Sequence, residues 1–252
     1  MGALKDTLCE DTPPFDVARA LTDQVKHHAA WSPRSRQTQI GASEIGHPCA
    51  RRLAYKTLGV EPINTDMDSW PAIVGTSVHT YLEKAFKKDP DYLTEVKVVL
   101  APWTKGTADL VHVPSKTVID HKVVGVTALK AAKADGISEQ YRVQLNMYAT
   151  GLRLMDIEIE NIAVMYWSRS GWMRDAFAIT EPYDEALVDK TLERYDAITA
   201  ASAAGAQVLP LIPTTPSNCM YCPFFFPLSQ DASESCNGVK TVDPTQPTKI
   251  ER

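Results

Sequence analysis

A chain of 252 residues, 44% hydrophobic and 23% charged, is long enough to bury one substantial core and too apolar to be globally disordered. No stretch approaches the roughly eighteen consecutive apolar residues of a membrane span, and the start, MGALKDTLCE, lacks the charged-then-apolar order of a secretory leader. Asp6 stands where an acylation signal would need Ser or Thr, so the expectation is a cytoplasmic protein with no membrane partner.

The formal net charge of −5 argues against a generic polyanion binder, whose affinity comes from counterions released by Lys and Arg. An enzyme that holds metal on carboxylates and steers nucleic acid with local basic patches remains compatible with it. Arg34 with Arg36, and the run Arg51, Arg52, Lys56, are such patches, although each alone also reads as solvated surface.

In chain order, residues 1–42 read as helical to irregular, with Pro13, Pro14 and Pro33 marking turns. Residues 43–60, SEIGHPCARRLAYKTLGV, fit a capped turn and a short helix ended by Gly59. Residues 73–200 alternate helix, strands, helix, strand and helix, which predicts an α/β fold with a mixed central sheet flanked by helices. A Pro- and Cys-bearing segment without periodicity follows Pro210, and 239–252 read as a mobile polar tail. The expected organisation is a helical part at 1–72, a core at 73–200, a cysteine-bearing segment at 201–238 and the tail; no internal repeat is present.

Within the core, GTADLVHVPSKTVIDHK has two β-branched runs around a Pro-Ser turn and reads as a hairpin. With a loop of two or four residues, Val111 faces Val118 and Asp109 faces Asp120. Like charges directly opposed across an antiparallel pair destabilise it, and a bound cation would reverse that penalty. Lys122, two residues past Asp120, projects from the same face. The pattern predicts a metal site with an ammonium beside it.

Two helices add groups of the right kind. GTSVHTYLEKAF carries an apolar stripe bordered by His79, and SEQYRVQLNMYATGL places Gln144 and Tyr148 four apart on one helical face. Taken singly, a His beside an apolar stripe is more often a core residue than a ligand, and a Gln/Tyr pair is usually packing.

The ordered series His79, Asp109, Asp120, Lys122, Gln144, Tyr148, in the contexts GTSVH, GTADLV, IDHK and QLNMY, resembles the PD-(D/E)XK nuclease superfamily, and within it the RecB-like, Cas-four-type iron–sulfur exonucleases. The resemblance implies a restriction-endonuclease-like core at 73–200. His79, Asp109, Asp120 and the backbone carbonyl of His121 would hold Mg2+ or Mn2+, and Lys122 would position or deprotonate the attacking water. Gln144 and Tyr148 would orient Lys122 and the scissile phosphate, and Glu95 matches an acidic residue often seen on the preceding strand. Hard oxygen ligands with one imidazole suit those metals.

Cys49, Cys219, Cys222 and Cys236 form a second constellation, because a C-x-x-C with two further cysteines in a cytosolic chain reads first as a metal site. Four thiolates suit zinc or a four-iron cluster. The one-plus-three arrangement resembles the [4Fe–4S] site of the Cas-four relatives, with the thirteen-residue gap before Cys236 longer than usual there; Zn2+ is the alternative, and Cys9 fits no pattern. Phe224, Phe225 and Phe226 would pack around the metal or stack on bases, and Arg51, Arg52 and Tyr55 are candidate DNA contacts.

The resulting expectation is a metal-dependent DNA exonuclease acting from single-stranded or duplex ends, 5′ to 3′ by family analogy. Its setting would be recombination, repair or CRISPR adaptation, with proteins of those processes as partners. The rivals are a non-catalytic DNA-end-binding adaptor and a zinc-stabilised endonuclease.

Overall fold

The computed structural model describes residues 16–30, 39–65, 68–101 and 104–238. Cys9, Arg34, Arg36, the turns at Pro13, Pro14 and Pro33, and the tail 239–252 lie outside them. The chain divides into two compact units, residues 1–37 and 38–252. The first contains α1 (Val17–Ala30), with an exposed i, i+4 ion pair between Arg19 and Asp23 at 3.7 Å.

In the second unit α2 (Ala42–Ile45), α3 (Ala50–Thr57) and α4 (Trp70–Phe86) precede β1 (Tyr92–Ala101), β2 (Thr104–His112) and β3 (Thr117–Val124). Then come α5 (Val126–Asp135), α6 (Glu139–Arg153), β4 (Asn161–Ser168), β5 (Phe177–Pro182) and α7 (Glu185–Ser202). The five strands form one sheet in the order β1-β2-β3-β4-β5, antiparallel except for the parallel pair β3/β4. A parallel pair needs a long crossover, and α5 and α6 supply it. This is the expected mixed sheet flanked by helices. Among the described residues, no helix is long and apolar enough to cross a membrane.

Helix α6 is the centre of the core. Ser138 caps it by accepting the Tyr141 N–H, and Val143, Leu145, Met147, Ala149 and Leu152 are buried along it. Each fully buried Leu or Met there contributes roughly 1.5–3 kcal/mol. Two glycines set how closely the helix and sheet approach. A Cβ on Gly151 would meet Val98 Cβ at 2.7 Å, and one on Gly106 would meet Tyr148 Cε1 at 2.5 Å.

Helix α3 ends as the sequence predicts, with Gly59 at φ +66°, where glycine carries no steric penalty. The hairpin register is also the predicted one: Val111 pairs with Val118 and His112 with Thr117 around the turn 113–116.

Candidate active site

Strict alternation along β2 would put Ala108 and Val111 on opposite faces. Both belong to the core under α6, together with Val98 and Val118, whereas the buried Leu110 does not. The strand therefore changes sides at Asp109. The rungs Thr94–Leu110 and Val96–Ala108 bracket Glu95 opposite Asp109, and Glu95 has φ +50°, a conformation uncommon for a residue with a side chain. A paired irregularity of this kind re-aims side chains. Here it turns Glu95 and Asp109 toward α4, where one ligand atom each of His79, Glu95 and Asp109 lies within 4.8 Å of the others.

The β2/β3 ladder stops at Leu110–Ile119, one rung short of the expected Asp109–Asp120 pair. The reason is local. Asp109 Oδ2 accepts the His121 N–H at 2.8 Å, a donor that a continued ladder would give to a β2 carbonyl. A residue's N–H and C=O face the same side of a strand, so the His121 carbonyl also faces the gap. The same Oδ2 lies 3.4 Å from His79 Nδ1.

Asp120 projects toward α6. Its Oδ1 accepts from Gln144 Nε2 at 2.9 Å, and the same amide nitrogen lies 3.0 Å from the Tyr148 hydroxyl. Lys122 Nζ stands 2.7 Å from Asp120 Oδ2 and donates to Gln144 Oε1 at 3.2 Å. The Lys122 contact with the buried Oδ2 is an ion pair outside ordinary hydrogen-bond angles, which leaves that oxygen with lone-pair capacity for a further partner.

Tyr141 completes the surroundings, with its ring 4.4 Å from Lys122 Nζ. The sequence reading missed it, although 141, 144 and 148 share a helical face by their i, i+3, i+7 spacing. On the far side of β3 the His121 ring accepts from Trp167 Nε1 at 3.3 Å.

Electrostatics bind the two clusters into one neighbourhood. Burial pushes the Asp120 carboxyl above its ordinary value and Lys122 pulls it back, with Asp109 adding to the rise. For Asp109, burial acts upward, but the hydrogen bond and charge of His79 and the His121 N–H outweigh it, holding the group below the usual carboxylate range. Hydrogen bonding to Asp109 raises His79 against its burial. Burial is the largest influence on Lys122 and would lower it, but the charge and hydrogen bond of Asp120, with Tyr141 and Asp109, together outweigh it and raise the group. His121 is pushed by burial to about 4 and is neutral at pH 7.

The donor set fits a hard divalent cation. Oxygen and imidazole ligands converge at His79, Glu95 and Asp109, and the under-satisfied Oδ2 of Asp120 adds a further oxygen. Asp120 does not fall within the tight group of three ligand atoms.

The four cysteines line one cavity with Arg52 and Phe225, and none is in a disulfide. Cys49 sits just before α3, its N–H on His47 Nδ1 at 3.2 Å. Cys219 and Cys222 share a 3-10 turn. The chain then loops out over 226–235 and returns as a bridge between Phe225 and Cys236, with Cys236 N donating to Phe224 O at 2.8 Å. That return absorbs the long gap. Burial raises the Cys222 thiol.

Among the described residues, no three of these sulfurs come within 4.8 Å of one another. Tetrahedral zinc, with ligands at about 2.3 Å, would draw them to about 3.8 Å.

The basic run after Cys49 is largely occupied. Arg51 donates to the carbonyls of Ile212 and Pro210 at 3.0 and 2.9 Å, and Arg52 Nη1 meets His47 Nε2 at 3.0 Å. Tyr55 is buried, donates to Ala232 O at 2.6 Å and stacks on the buried Phe224 at 5.0 Å. Phe225 lines the cavity and Phe226 is exposed.

No protein-family model matches this chain, and comparison with curated proteins gave no match. Superposition on solved structures finds likenesses to an alkaline exonuclease from Laribacter hongkongensis (14% identity, 71% of this chain and 94% of that one, TM-score 0.49). The same enzyme in complex with dAMP gives 12%, 68%, 90% and 0.43. A phage-related exonuclease from Haemophilus somnus 129PT gives 14%, 60%, 78% and 0.42. These are likenesses of low order, and the chemistry of the site rests on its own geometry.

Proposed function

We propose that this chain is a divalent-metal-dependent deoxyribonuclease of the PD-(D/E)XK type, hydrolysing phosphodiester bonds as an exonuclease from DNA ends, 5′ to 3′ on single-stranded or resected DNA. One observation carries the reading. A half-buried lysine, ion-paired to a buried aspartate, stands beside a His/Glu/Asp ligand group at the point where β2 and β3 part.

His79, Glu95, Asp109 and Asp120, with the His121 carbonyl, would hold Mg2+ or Mn2+. Such an ion lowers the pKa of water and offsets charge building on phosphate oxygens. The protein's own groups do the rest. Gln144 fixes Asp120 and Lys122 together through its two amide ends, and Tyr148 anchors that amide. Without metal Lys122 is an ammonium at neutral pH, because its carboxylates outweigh its burial. In that state it is a donor to a phosphate oxygen or to water, and it becomes a base only where cation charge offsets Asp120 and Asp109.

For the cysteine cavity we assign a [4Fe–4S] cluster over zinc, on the four cysteines around one space and their one-plus-three order along the chain. Its role is to fasten residues 210–238 to α3.

Digestion of end-labelled single-stranded, duplex and covalently closed circular DNA with Mn2+, Mg2+ or EDTA tests the reading. Metal-dependent loss of the linear substrates with the circle intact is the expected result. Cutting of the circle would make it an endonuclease, and Lys122→Ala with unchanged processing would leave a DNA-end-binding role.

A further inference from the structure

The net charge of −5 conceals an uneven sheet. Because β3 and β4 run parallel and β2 antiparallel to them, the β1–β2 connection, the carboxyl ends of β3 and β4, and the 169–176 loop share one edge. That edge carries Lys105, Arg169 and Arg174 against Asp175, with Lys97 further in along β1. The opposite edge carries Asp89 and Asp91 before β1, and Asp156, Glu158 and Glu160 before β4, against Lys87, Lys88 and Lys116. The carboxyl ends of the one parallel pair, β3 and β4, lie at the basic edge.

Two details show how this edge is arranged. Val98 and Gly106 face α6 through Gly151 and Tyr148, so the rungs Lys97–Thr107 and Val99–Lys105 face away from α6, the side to which Glu95 and Asp109 turn. Lys97 is two residues past Glu95, about 7 Å along the strand, and both lysines are exposed.

The second detail is Trp172, 69% exposed. Its backbone N–H donates to Asp175 Oδ2 at 2.8 Å, and the Arg174 guanidinium lies 5.2 Å from its ring. Its loop begins where Arg169 N bonds Val124 O at 2.8 Å, just past the Val124–Ser168 rung that follows Lys122–Tyr166 by two residues. An exposed indole with a guanidinium on its face, on a basic edge, has the chemistry of a base-stacking platform.

We propose that this edge is the track of a single DNA strand, with Trp172 stacking on a base and Lys97, Lys105 and Arg169 neutralising phosphates on either side of the Asp109–Lys122 site. The proposal rests on the nuclease reading and supplies its substrate grip. The track is sequence-independent, since stacking and phosphate contacts carry no base code.

Binding of a fluorescent twelve-residue oligothymidylate, measured in EDTA across a salt series, separates the track from the chemistry. Trp172→Ala should weaken binding about tenfold with the salt dependence retained. Lys97→Ala with Lys105→Ala should lower the slope of log K against log salt by about 1.4. Lys116→Ala on the opposite edge should stay within about twofold, and far-UV circular dichroism checks that each variant is folded.

Absence of binding by the native protein at low salt overturns the proposal, as does a Trp172→Ala protein that binds like the native one with the lysine pair leaving the slope unchanged. The nuclease reading is judged separately by Mn2+-dependent hydrolysis. A native protein that binds through Trp172 but never cuts keeps the track and loses that reading, and one that cuts with Trp172 irrelevant does the reverse.

Discussion

Asp120, buried, and Cys222, half-buried, are both groups of ligand type, yet their neighbourhoods hold them by different means. Asp120 lies between a strand and the best-packed helix of the fold, and its charge is already met by Lys122 at 2.7 Å. Cys222 lies in a segment of short turns, tied to the rest by side chains that reach for backbone carbonyls. Arg51 takes those of Ile212 and Pro210, Asn64 Nδ2 takes those of Met220 and Cys222 at 2.9 and 3.0 Å, and Tyr55 takes Ala232. The first region can persist without a bound cation because its charges compensate one another. The second has few buried apolar contacts of its own, so under the proposed cluster assignment its order would depend on ligation.

The largest expected effect breaks the compensation. Lys122→Ala should abolish DNA hydrolysis and leave a buried carboxylate unpaired, costing roughly 3–5 kcal/mol in a denaturant titration of the metal-free protein. Adding Asp120→Asn to Lys122→Met removes both charges and should return most of the stability with none of the activity. If the double variant is as unstable as the single one, the pairing does not organise the site.

The cysteine region should respond in the opposite sense. Protein purified without oxygen should be brown, and a colourless preparation with stoichiometric zinc would overturn the cluster. Cys222→Ser, or oxidative bleaching, should open residues 210–238 to limited proteolysis while hydrogen exchange in α6 stays slow. Equal loosening of α6 would mean that the two regions are not separately held.

The contrast also marks what the sequence could carry. The hairpin register was readable because a four-residue turn and period-two alternation fix it, and Gly59 marked the end of α3 because left-handed backbone favours glycine. The side switch at Asp109 was not readable. It depends on Glu95 at φ +50°, a conformation that a glutamate does not advertise, and the resulting capture of the His121 N–H ends the ladder before Asp120. Gln144 and Tyr148 could be placed by helical spacing. Arg51 and Arg52 looked free as a sequence run, since nothing local shows that carbonyls 159 and 161 residues away, and the ring of His47, would occupy them.

A smaller perturbation sharpens the comparison from the packing side. Gly106→Ala puts a Cβ 2.5 Å from Tyr148 Cε1, so the ring must move and the Gln144–Tyr148 contact with it. Overpacking of this kind costs about 1–3 kcal/mol. The metal-dependent rate should fall further than stability alone explains, with the cysteine cavity untouched. Tm by calorimetry and initial rates on the same sample separate the two.

The smallest effect is in pH. In the metal-free protein the raised pKa of His79 means that its contact with Asp109 adds stability fully below about 6.5 and loses it as pH climbs through the raised value. Asp109, held low, contributes above its ordinary carboxylate range and loses that contribution as pH falls through its depressed value. Asp120, raised by burial, opposes folding increasingly as pH rises and it must ionise. Lys122, raised as well, stays charged throughout and sets no slope near neutrality. His79 and Asp120 therefore act together, and metal-free stability should decline gently from about pH 5 to 8. A cation held on the proposed ligands would replace the His79 proton and meet the carboxylates, so Mn2+ should bind more tightly over that range and flatten or invert the slope. Two-dimensional NMR of the His79 ring should show its pKa falling in Asp109→Asn; an unmoved His79 titration would mean that the imidazole and Asp109 do not share the site.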